Sequence, residues 1–357
     1  MTHVLLPAGF RDRLPPEADA SSRLVRAILD TIAAYGYERV QPPLAEFEAG
    51  LKAGSYDRLR FVDPVSGKMM AVRSDITGQI GRIATTRMGH HPRPVRLSYA
   101  GPVVKLRATQ LRPEREMMQV GAELIGRDTV AAASEIVTVA LESLKAAGAR
   151  AITLDLTMPD LIDLLAAGPL PVADVAGLKA RLDVKDTANV PAAYRPLIAA
   201  AGPFAVAVER LRAFDAGLDG GGVLAERLNA LEAIVATLPG DVSITLDPTE
   251  LHGFEYQSWL GFSVFSGEAS GEIARGGAYR VGEEPAIGFS AYVDPLIDAG
   301  LARSERRRLF LPLGTAAEAA AALRAQGWVT VAALDAKDSA AAQICSHVFG
   351  PDGPVTI

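Results

Sequence analysis

The sequence predicts an α+β fold, and three features of the chain indicate it. Amphipathic helical patterns occupy residues 17–35 and 129–147, strand-like segments cluster instead of alternating with helices, and residues 157–241 are rich in Ala and Leu. Clustered strands favour an antiparallel sheet, because parallel strands need a crossover, usually a helix, between them. We therefore expect an antiparallel sheet that a helical insertion interrupts and a later set of strands completes.

The first half of the chain contains two predicted helices around a group of strands. The first helix follows a repeat that begins at Leu24 and stops before Gly36, and the second, 129–147, stops before Gly148. A further short helix is expected near Ile76–Met88. The predicted strands are Tyr37–Val40, Lys68–Arg73, Val95–Leu106 and Glu116–Ile125.

The second half begins with the insertion, 157–241, which repeated prolines divide into short helices. After it, we expect the strands Ser243–Asp247, Phe254–Ser266, Gly271–Ala274 and Ala286–Val293. The tail predicts, in order, strand Leu309–Leu313, helix Ala316–Gln326, strand Trp328–Leu334 and helix Ser339–Phe349. The predicted domains are a core of 1–156 and 242–303, the helical insertion 157–241, and a short C-terminal α/β module, 304–357.

Composition narrows the class of protein. The chain has 357 residues, of which 49% are hydrophobic and 22% charged, which is typical of a globular protein and excludes a disordered chain. Cys345 is the single cysteine, so no internal disulfide forms and a reducing cytoplasm is expected. A net charge of -6 gives no general attraction to nucleic acid or to anionic membranes. We expect a cytoplasmic protein with no signal sequence and no membrane span.

Short motifs follow one another in an order that is more specific than any one of them. They are Arg73-Ser74-Asp75-Ile76-Thr77, Gly101-Pro102 with Gln119, Gly121 and Glu123, His252-Gly253-Phe254-Glu255-Tyr256, and Gly276-Gly277-Ala278-Tyr279. In order and spacing, the chain resembles the catalytic core of class II aminoacyl-tRNA synthetases, specifically histidyl-tRNA synthetase, over about residues 7–300. The resemblance implies a class II antiparallel-sheet core that self-associates as a dimer.

The resemblance also implies a pocket for free histidine. Such a pocket needs an acceptor for the α-ammonium, a donor for the carboxylate and a hydrogen-bonding group for the imidazole. Asp75, Thr77 and Gln119 fall where the family holds the ammonium. The residues expected near the imidazole and the carboxylate are Glu123, Tyr256, Tyr279 and His252. Taken alone, the carboxylates also suit a helix cap or an ion pair with Arg73, and the tyrosines suit ordinary packing.

Departures from the synthetase pattern concern the groups that face phosphate and carboxylate. Lys105 stands at the second-motif arginine, and Arg107 replaces the acidic residue two places later. Pro295 stands at the third-motif arginine, and His252 replaces the signature arginine. Amino-acid activation needs fixed cations on the phosphates of ATP, and proline supplies neither charge nor donor. We therefore expect that adenylation is lost and that the chain has no catalytic residues, no metal and no cofactor.

A histidine pocket without an activation site, with a tail shorter than an anticodon-binding domain, resembles the regulatory subunits of ATP phosphoribosyltransferase. That resemblance implies a non-catalytic partner of the short-form catalytic subunit at the first step of histidine biosynthesis. The expected assembly is a hetero-octamer of four regulatory and four catalytic chains, with L-histidine as effector. Two alternatives stay open, namely a divergent histidyl-tRNA synthetase and another class II-like amino-acid sensor or ligase.

Overall fold

The structure is a computed structural model, and it describes residues 5–48, 58–107, 114–251, 257–304 and 306–357. The predicted site residues His252 and Tyr256 therefore lie outside the described residues. The chain divides into two compact units, Met1–Ala302 and Arg303–Ile357, which are described separately below.

Helix α1 (Glu17–Ala34) confirms the first predicted helix. Its apolar residues Leu24, Ile28 and Ile32 recur every four positions and are all buried, because that spacing places them on one face. The elements that follow up to residue 146 are β1 (Glu38–Arg39), β2 (Ala45–Phe47), β3 (Arg60–Val62), β4 (Met69–Val72), α2 (Thr77–Arg82), β5 (Val95–Val104), β6 (Glu116–Ile125) and α3 (Val130–Ala146).

The predicted helix near Ile76–Met88 is helical but changes its hydrogen bonding part-way. Helix α2 ends at Arg82 and continues as a π-helical turn over Ile83–Arg87. A small sheet of order β2-β4-β3 lies beside it. Glu46 of β2 accepts hydrogen bonds from Gln79, at 2.8 Å, and from Arg82, so this sheet is tied directly to α2.

The remaining elements of the first unit include the insertion and the strands that return to the large sheet. They are β7 (Thr153–Thr157), α4 (Leu161–Ala167), α5 (Val175–Asp183), α6 (Arg195–Ala200), β8 (Gly202–Pro203), α7 (Phe204–Ala216), α8 (Ala225–Val235), β9 (Ser243–Asp247), β10 (Gly261–Phe265), β11 (Glu272–Val281), β12 (Glu284–Tyr292) and α9 (Asp294–Asp298). Strand β11 is seven residues longer than its predicted counterpart, Gly271–Ala274, at its C-terminal end. The described part of the predicted strand Phe254–Ser266 is extended only over Gly261–Phe265.

The large sheet has the strand order β1-β5-β6-β12-β11-β10-β7-β9-β8. Its central strands pair antiparallel, as the sequence predicts. Two flanking pairs, β1 with β5 and β7 with β9, are parallel, so the sheet is mixed. Both parallel connections contain enough chain for a crossover, and the second one contains the whole helical insertion. The α+β fold class is confirmed.

Side chains of β6 alternate between the two faces of the sheet. Val120, Ala122 and Leu124 point to one face, where they join the core formed with α1 and α3. Gln119 and Glu123 alternate with them and therefore face the opposite side. That second side carries the polar residues of the candidate site.

The second unit is a four-stranded sheet of order β14-β13-β15-β16 with one described helix. Its elements are β13 (Arg308–Leu311), α10 (Ala317–Ala325), β14 (Val329–Ala332), β15 (His347–Gly350) and β16 (Gly353–Thr356). The predicted helix Ser339–Phe349 is wrong. Residues 340–344 form turns, Ile344 adopts a left-handed φ of 52°, and His347 pairs with Leu309. Completing this sheet outweighs the weak helical preference of a short Ala-rich run.

Within the described residues, no helix is long and apolar enough to cross a membrane.

Candidate functional site

The register of three neighbouring strands brings the predicted residues to one face of the sheet. Glu123 of β6 lies directly opposite Gly288 of β12, and Gly288 lies opposite Gly277 of β11. Directly paired residues project to the same face, and so do residues two apart on one strand. Glu123, Gln119 and Tyr279 therefore share a face.

Glu123 is a buried carboxyl with two tyrosine partners. The Tyr279 hydroxyl donates to Oε2 at 2.7 Å, and the Tyr99 hydroxyl donates to Oε1 at 3.0 Å. Burial raises the pKa of Glu123 to about 8, the nearby Asp75 charge pushes it in the same direction, and the tyrosine hydrogen bonds oppose the rise. At neutral pH this carboxyl therefore holds a proton in the ligand-free protein and can either donate or accept a hydrogen bond.

Tyr99 of β5 links Glu123 to the other end of the site. Its hydroxyl lies 2.8 Å from Oγ of Ser290 and 3.2 Å from Oγ1 of Thr77. Burial and the charges of Glu123 and Asp75 raise the Tyr99 pKa well above its usual value, so the phenol stays neutral. Because a neutral hydroxyl both donates and accepts, Tyr99 connects the carboxyl to a chain of hydroxyl groups.

Asp75 and Gln119 form the second polar cluster. The Gln119 amide nitrogen donates to Asp75 Oδ2 at 2.9 Å and to Ser290 Oγ at 2.7 Å, while its oxygen accepts the backbone N–H of Ile76 at 3.0 Å. Asp75 Oδ1 also accepts the backbone N–H of Thr77 at 2.7 Å, at the start of α2. Asp75 therefore both supports the helix start and presents a carboxylate next to Gln119.

Arg73, the alternative partner of Asp75, anchors the backbone instead. Its guanidinium donates to the carbonyl oxygens of Pro102, at 2.8 Å, and Pro42, at 3.0 Å. Burial lowers its pKa, and nearby Glu46 and Asp75 oppose that shift. These contacts give Arg73 a structural role beneath the site.

A small pocket, partly open to solvent, lies beside Thr77, Glu123 and Ser290 of this network. The polar residues that line it are Thr77, Glu123, Gln257, Arg275, Tyr279 and Ser290. Gly288 leaves room for Glu123, because a Cβ at that position would collide with the carboxylate oxygen. The Gln257 amide donates to the carbonyl of Gly276 at 3.0 Å, and its buried oxygen has no partner among the described residues. The lining is thus rich in groups that bind a polar ligand.

Five of the seven predicted site residues belong to this network, namely Asp75, Thr77, Gln119, Glu123 and Tyr279, and three of them, Thr77, Glu123 and Tyr279, also line the pocket. Tyr99 of the network and the lining residues Ser290 and Arg275 were not predicted from the sequence. The period of two in β5 would have indicated Tyr99, since Gly101 two positions later belongs to a recognised motif. In the described part of the chain, no group of three or more His, Cys, Asp or Glu side chains is arranged to hold a metal ion.

The positions of the altered phosphate-facing residues are described in part. Lys105 lies with its ammonium 5.9 Å from the ring centre of Tyr292. Pro295 lies in the first turn of α9, directly after Asp294. The Asp294 carboxylate is buried, accepts the backbone N–H of Met118 at 2.9 Å and forms an ion pair with Arg13. The Asp294 carboxylate therefore ties the start of α9 to β6 and to Arg13.

Comparison with known proteins identifies the family. The chain is 43% identical to an ATP phosphoribosyltransferase regulatory subunit of Rhodospirillum centenum, over 97% of this chain and 94% of that protein. It is 42% identical to the protein of the same name from Paramagnetospirillum magneticum, over 99% and 98% of the two chains. The chain belongs to the ATP phosphoribosyltransferase regulatory subunit family. A family model described as histidyl-tRNA synthetase also matches residues 9–296.

Solved structures share the fold of this regulatory-subunit family member. A Bacillus halodurans protein titled ATP phosphoribosyltransferase regulatory subunit/histidyl-tRNA synthetase has a TM-score of 0.80 at 20% identity, with 96% of each chain covered. A Nostoc histidyl-tRNA synthetase has a TM-score of 0.74 at 16% identity, covering 98% of this chain and 92% of that one. At these identities the likeness concerns the fold alone. Within that fold, this regulatory subunit family member has a polar pocket on the face of its sheet opposite α1 and α3.

Proposed function

We propose that this chain acts without catalysis of its own, as the regulatory subunit that joins the short-form catalytic subunit of ATP phosphoribosyltransferase in the cytoplasm. It activates that subunit at the first step of histidine biosynthesis and transmits feedback inhibition by L-histidine. The expected assembly is a hetero-octamer built on class II-like dimers of this chain. The names of relatives at 42–43% identity support the partnership.

The observation that carries the effector assignment is the polar network from Asp75 to Glu123. An amino acid presents an ammonium, which suits the carboxylate of Asp75 beside Gln119. An imidazole presents one donor and one acceptor, which suits a carboxyl that holds its proton near neutral pH and lies between two tyrosine hydroxyls. The two polar groups are joined through Ser290 and Tyr99, so the site has complementary chemistry at both ends.

The same structure argues against amino-acid activation. The α-phosphate gains negative charge as it reacts, so the site must hold fixed cations there. At the start of α9, where the resembling synthetases place an arginine, this chain has Pro295 and the buried carboxylate of Asp294. Because proline carries neither a charge nor an N–H donor, Pro295 offers no group to bind phosphate, which supports a binding role over adenylation.

Feedback inhibition requires that histidine bind two states of the complex with different affinity. The coupling free energy in such systems is typically about 1–3 kcal/mol, which corresponds to a change in affinity of about 5-fold to 150-fold. The pocket lies between strands of the central sheet and the start of α2, and α2 is tied to the small sheet through Glu46. A shift of α2 on binding would therefore reach the surface of that sheet.

The test is reconstitution with the short-form catalytic subunit from the same genome. We expect the mixture to show ATP phosphoribosyltransferase activity well above that of the catalytic subunit alone, and L-histidine to suppress it. Unchanged activity in the mixture would contradict the proposal and favour an amino-acid sensor or a ligase of another kind. Histidine-dependent exchange of pyrophosphate with ATP by the chain alone would favour a divergent synthetase.

A further inference from the structure

The polar network beside the candidate pocket has two ends along the strands of the sheet. Glu123 and Tyr279 form one end, and Gln119 with Asp75 forms the other. Ser290 of β12 belongs to the second end, because its hydroxyl accepts a hydrogen bond from Gln119. An amino acid lying along β12 with its side chain at Glu123 would place its α-carbon near Ser290.

Arg275 of β11 lies beside this second end. It pairs directly with Ser290 in the antiparallel ladder, so both side chains project to the same face of the sheet. It lines the pocket, and its side chain is three-quarters buried. Among the described lining residues, Arg275 is the one that carries a positive charge.

A β-bulge places an acidic partner next to Arg275. Val264 of β10 pairs with Ala274, but Phe265 pairs with Glu272, so β11 contains one extra residue at this point. Residues three apart on a regular strand face opposite sides, and the bulge brings Glu272 and Arg275 together. Arg275 Nε donates to Glu272 Oε1 at 2.6 Å, and Ser263 Oγ donates to Oε2 of the same buried carboxylate at 2.6 Å. The Arg275 guanidinium is therefore held in one orientation.

We propose that Arg275 binds the α-carboxylate of L-histidine, an inference that rests on the proposed function. The zwitterion needs a cation beside its carboxylate as well as an anion beside its ammonium, and Asp75 supplies only the latter. A guanidinium has five N–H donors and matches a carboxylate with two parallel hydrogen bonds. The synthetase resemblance assigns the carboxylate to the signature position, which His252 occupies with a weaker cation. Arg275 would take over that role from a neighbouring strand.

Calorimetric titration with two ligands tests this assignment. L-histidinamide keeps the imidazole and the ammonium of histidine but replaces the carboxylate with a neutral amide. We expect the full-length chain to bind L-histidine more tightly than L-histidinamide. Arg275→Gln should weaken L-histidine binding by about tenfold or more, since hydrogen bonds to charged groups are worth about 1.5–3 kcal/mol, and should change L-histidinamide binding much less. Arg280→Gln, on an exposed position of the same strand, should leave both unchanged.

Arg275→Lys is a second variant that tests the same role in case Arg275→Gln does not fold. It keeps the charge but loses the planar fork, so a smaller loss confined to L-histidine is expected, with thermal unfolding used to check that the variant is folded. Equal losses for both ligands, or no loss for either, would overturn the role of Arg275 while leaving the proposed function standing. Absence of L-histidine binding by the unaltered chain, alone and with the catalytic subunit, would overturn the proposed function and this inference together.

Discussion

Tyr279 of β11 donates a 2.7 Å hydrogen bond to Glu123 of β6 across the intervening strand β12. The two side chains reach each other because Gly288, the residue of β12 that lies opposite Glu123, has no side chain. The Glu123 carboxyl and the Tyr279 phenol, which belong to strands on either side of β12, are thus hydrogen-bonded across Gly288. The floor of the pocket depends on this arrangement.

Gly288→Ala should disrupt the pocket. A Cβ at this position would collide with the Glu123 carboxylate, so either the carboxyl or the strand must move. Overpacking of this kind typically costs about 1–3 kcal/mol in the free energy of unfolding. We expect a loss of that size in urea denaturation, together with weaker L-histidine binding in calorimetry.

Gly78→Ala is the matched control for that substitution. Gly78 lies in α2, and a Cβ there would meet nothing within 4 Å. Alanine favours a helix over glycine by about 1 kcal/mol, so the control should be neutral or slightly stabilising. Equal effects of the two substitutions would contradict the crowding that we describe at Gly288.

Glu123 should make stability depend on pH in a defined direction. Its pKa rises from the ordinary 4.5 to about 8 on folding, chiefly through burial. Below pH 4.5 the Glu123 carboxyl is protonated in both the folded and the unfolded state, and its contribution to the free energy of unfolding is complete. Between pH 4.5 and about pH 8 only the folded state holds the proton. The free energy of unfolding therefore falls as the pH rises, by up to about 1.4 kcal/mol per pH unit, until the pH passes the folded-state pKa.

Denaturation of the protein and of Glu123→Gln across this range checks the prediction. The glutamine variant keeps a neutral side chain that does not titrate. The difference in stability between the two proteins should therefore shift in favour of the variant as the pH rises. Parallel curves would mean that Glu123 is ionised throughout the range.

Asp75→Asn should separate histidine inhibition from activation. The substitution keeps the size of the side chain but removes the charge that we propose binds the ammonium, and charged hydrogen bonds are worth about 1.5–3 kcal/mol. We expect the reconstituted complex to keep its activity and to need about tenfold or more L-histidine for inhibition. Asp30→Asn, on the exposed side of α1, should behave as the unaltered chain. Full sensitivity of Asp75→Asn would place the inhibitor site elsewhere.

Arg13→Ala should destabilise the chain by leaving the buried carboxylate of Asp294 without its cation. Burial already raises the pKa of Asp294, which shows that its charge is costly there. A loss of about 1–3 kcal/mol is expected in urea denaturation. Arg26→Ala removes an exposed ion pair with Asp30 and should change stability by less than about 1 kcal/mol. Comparable losses in the two variants would contradict the role assigned to Asp294.

Regular periodicity explains which parts of the fold were predictable. In α1 the spacing of apolar residues matches the observed burial, so its buried face could be predicted directly. The strand His347–Gly350 was not predicted, because it forms through pairing on both sides, with β13 about forty residues earlier and with β16 just after it. The alanine-rich residues before this strand have a helical pattern, but the pairing of the strand in the sheet overrides it.

The site divides in a similar way. Asp75, Gln119 and Glu123 belong to short motifs whose order could be recognised in the sequence, and the structure places them together. Arg275 belongs to no such motif, and its contact with Glu272 depends on a bulge that alternation alone does not predict. A contact that depends on an irregularity of the backbone, such as this one, becomes visible only in three dimensions.

The most direct test of this account is calorimetric titration of the purified chain with L-histidine and, separately, with ATP. The account predicts saturable binding of L-histidine that Asp75→Asn weakens, and no comparable binding of ATP, because Pro295 at the start of α9 offers phosphate neither a charge nor an N–H donor. Tight binding of ATP by the chain alone would contradict the account and restore the synthetase alternative.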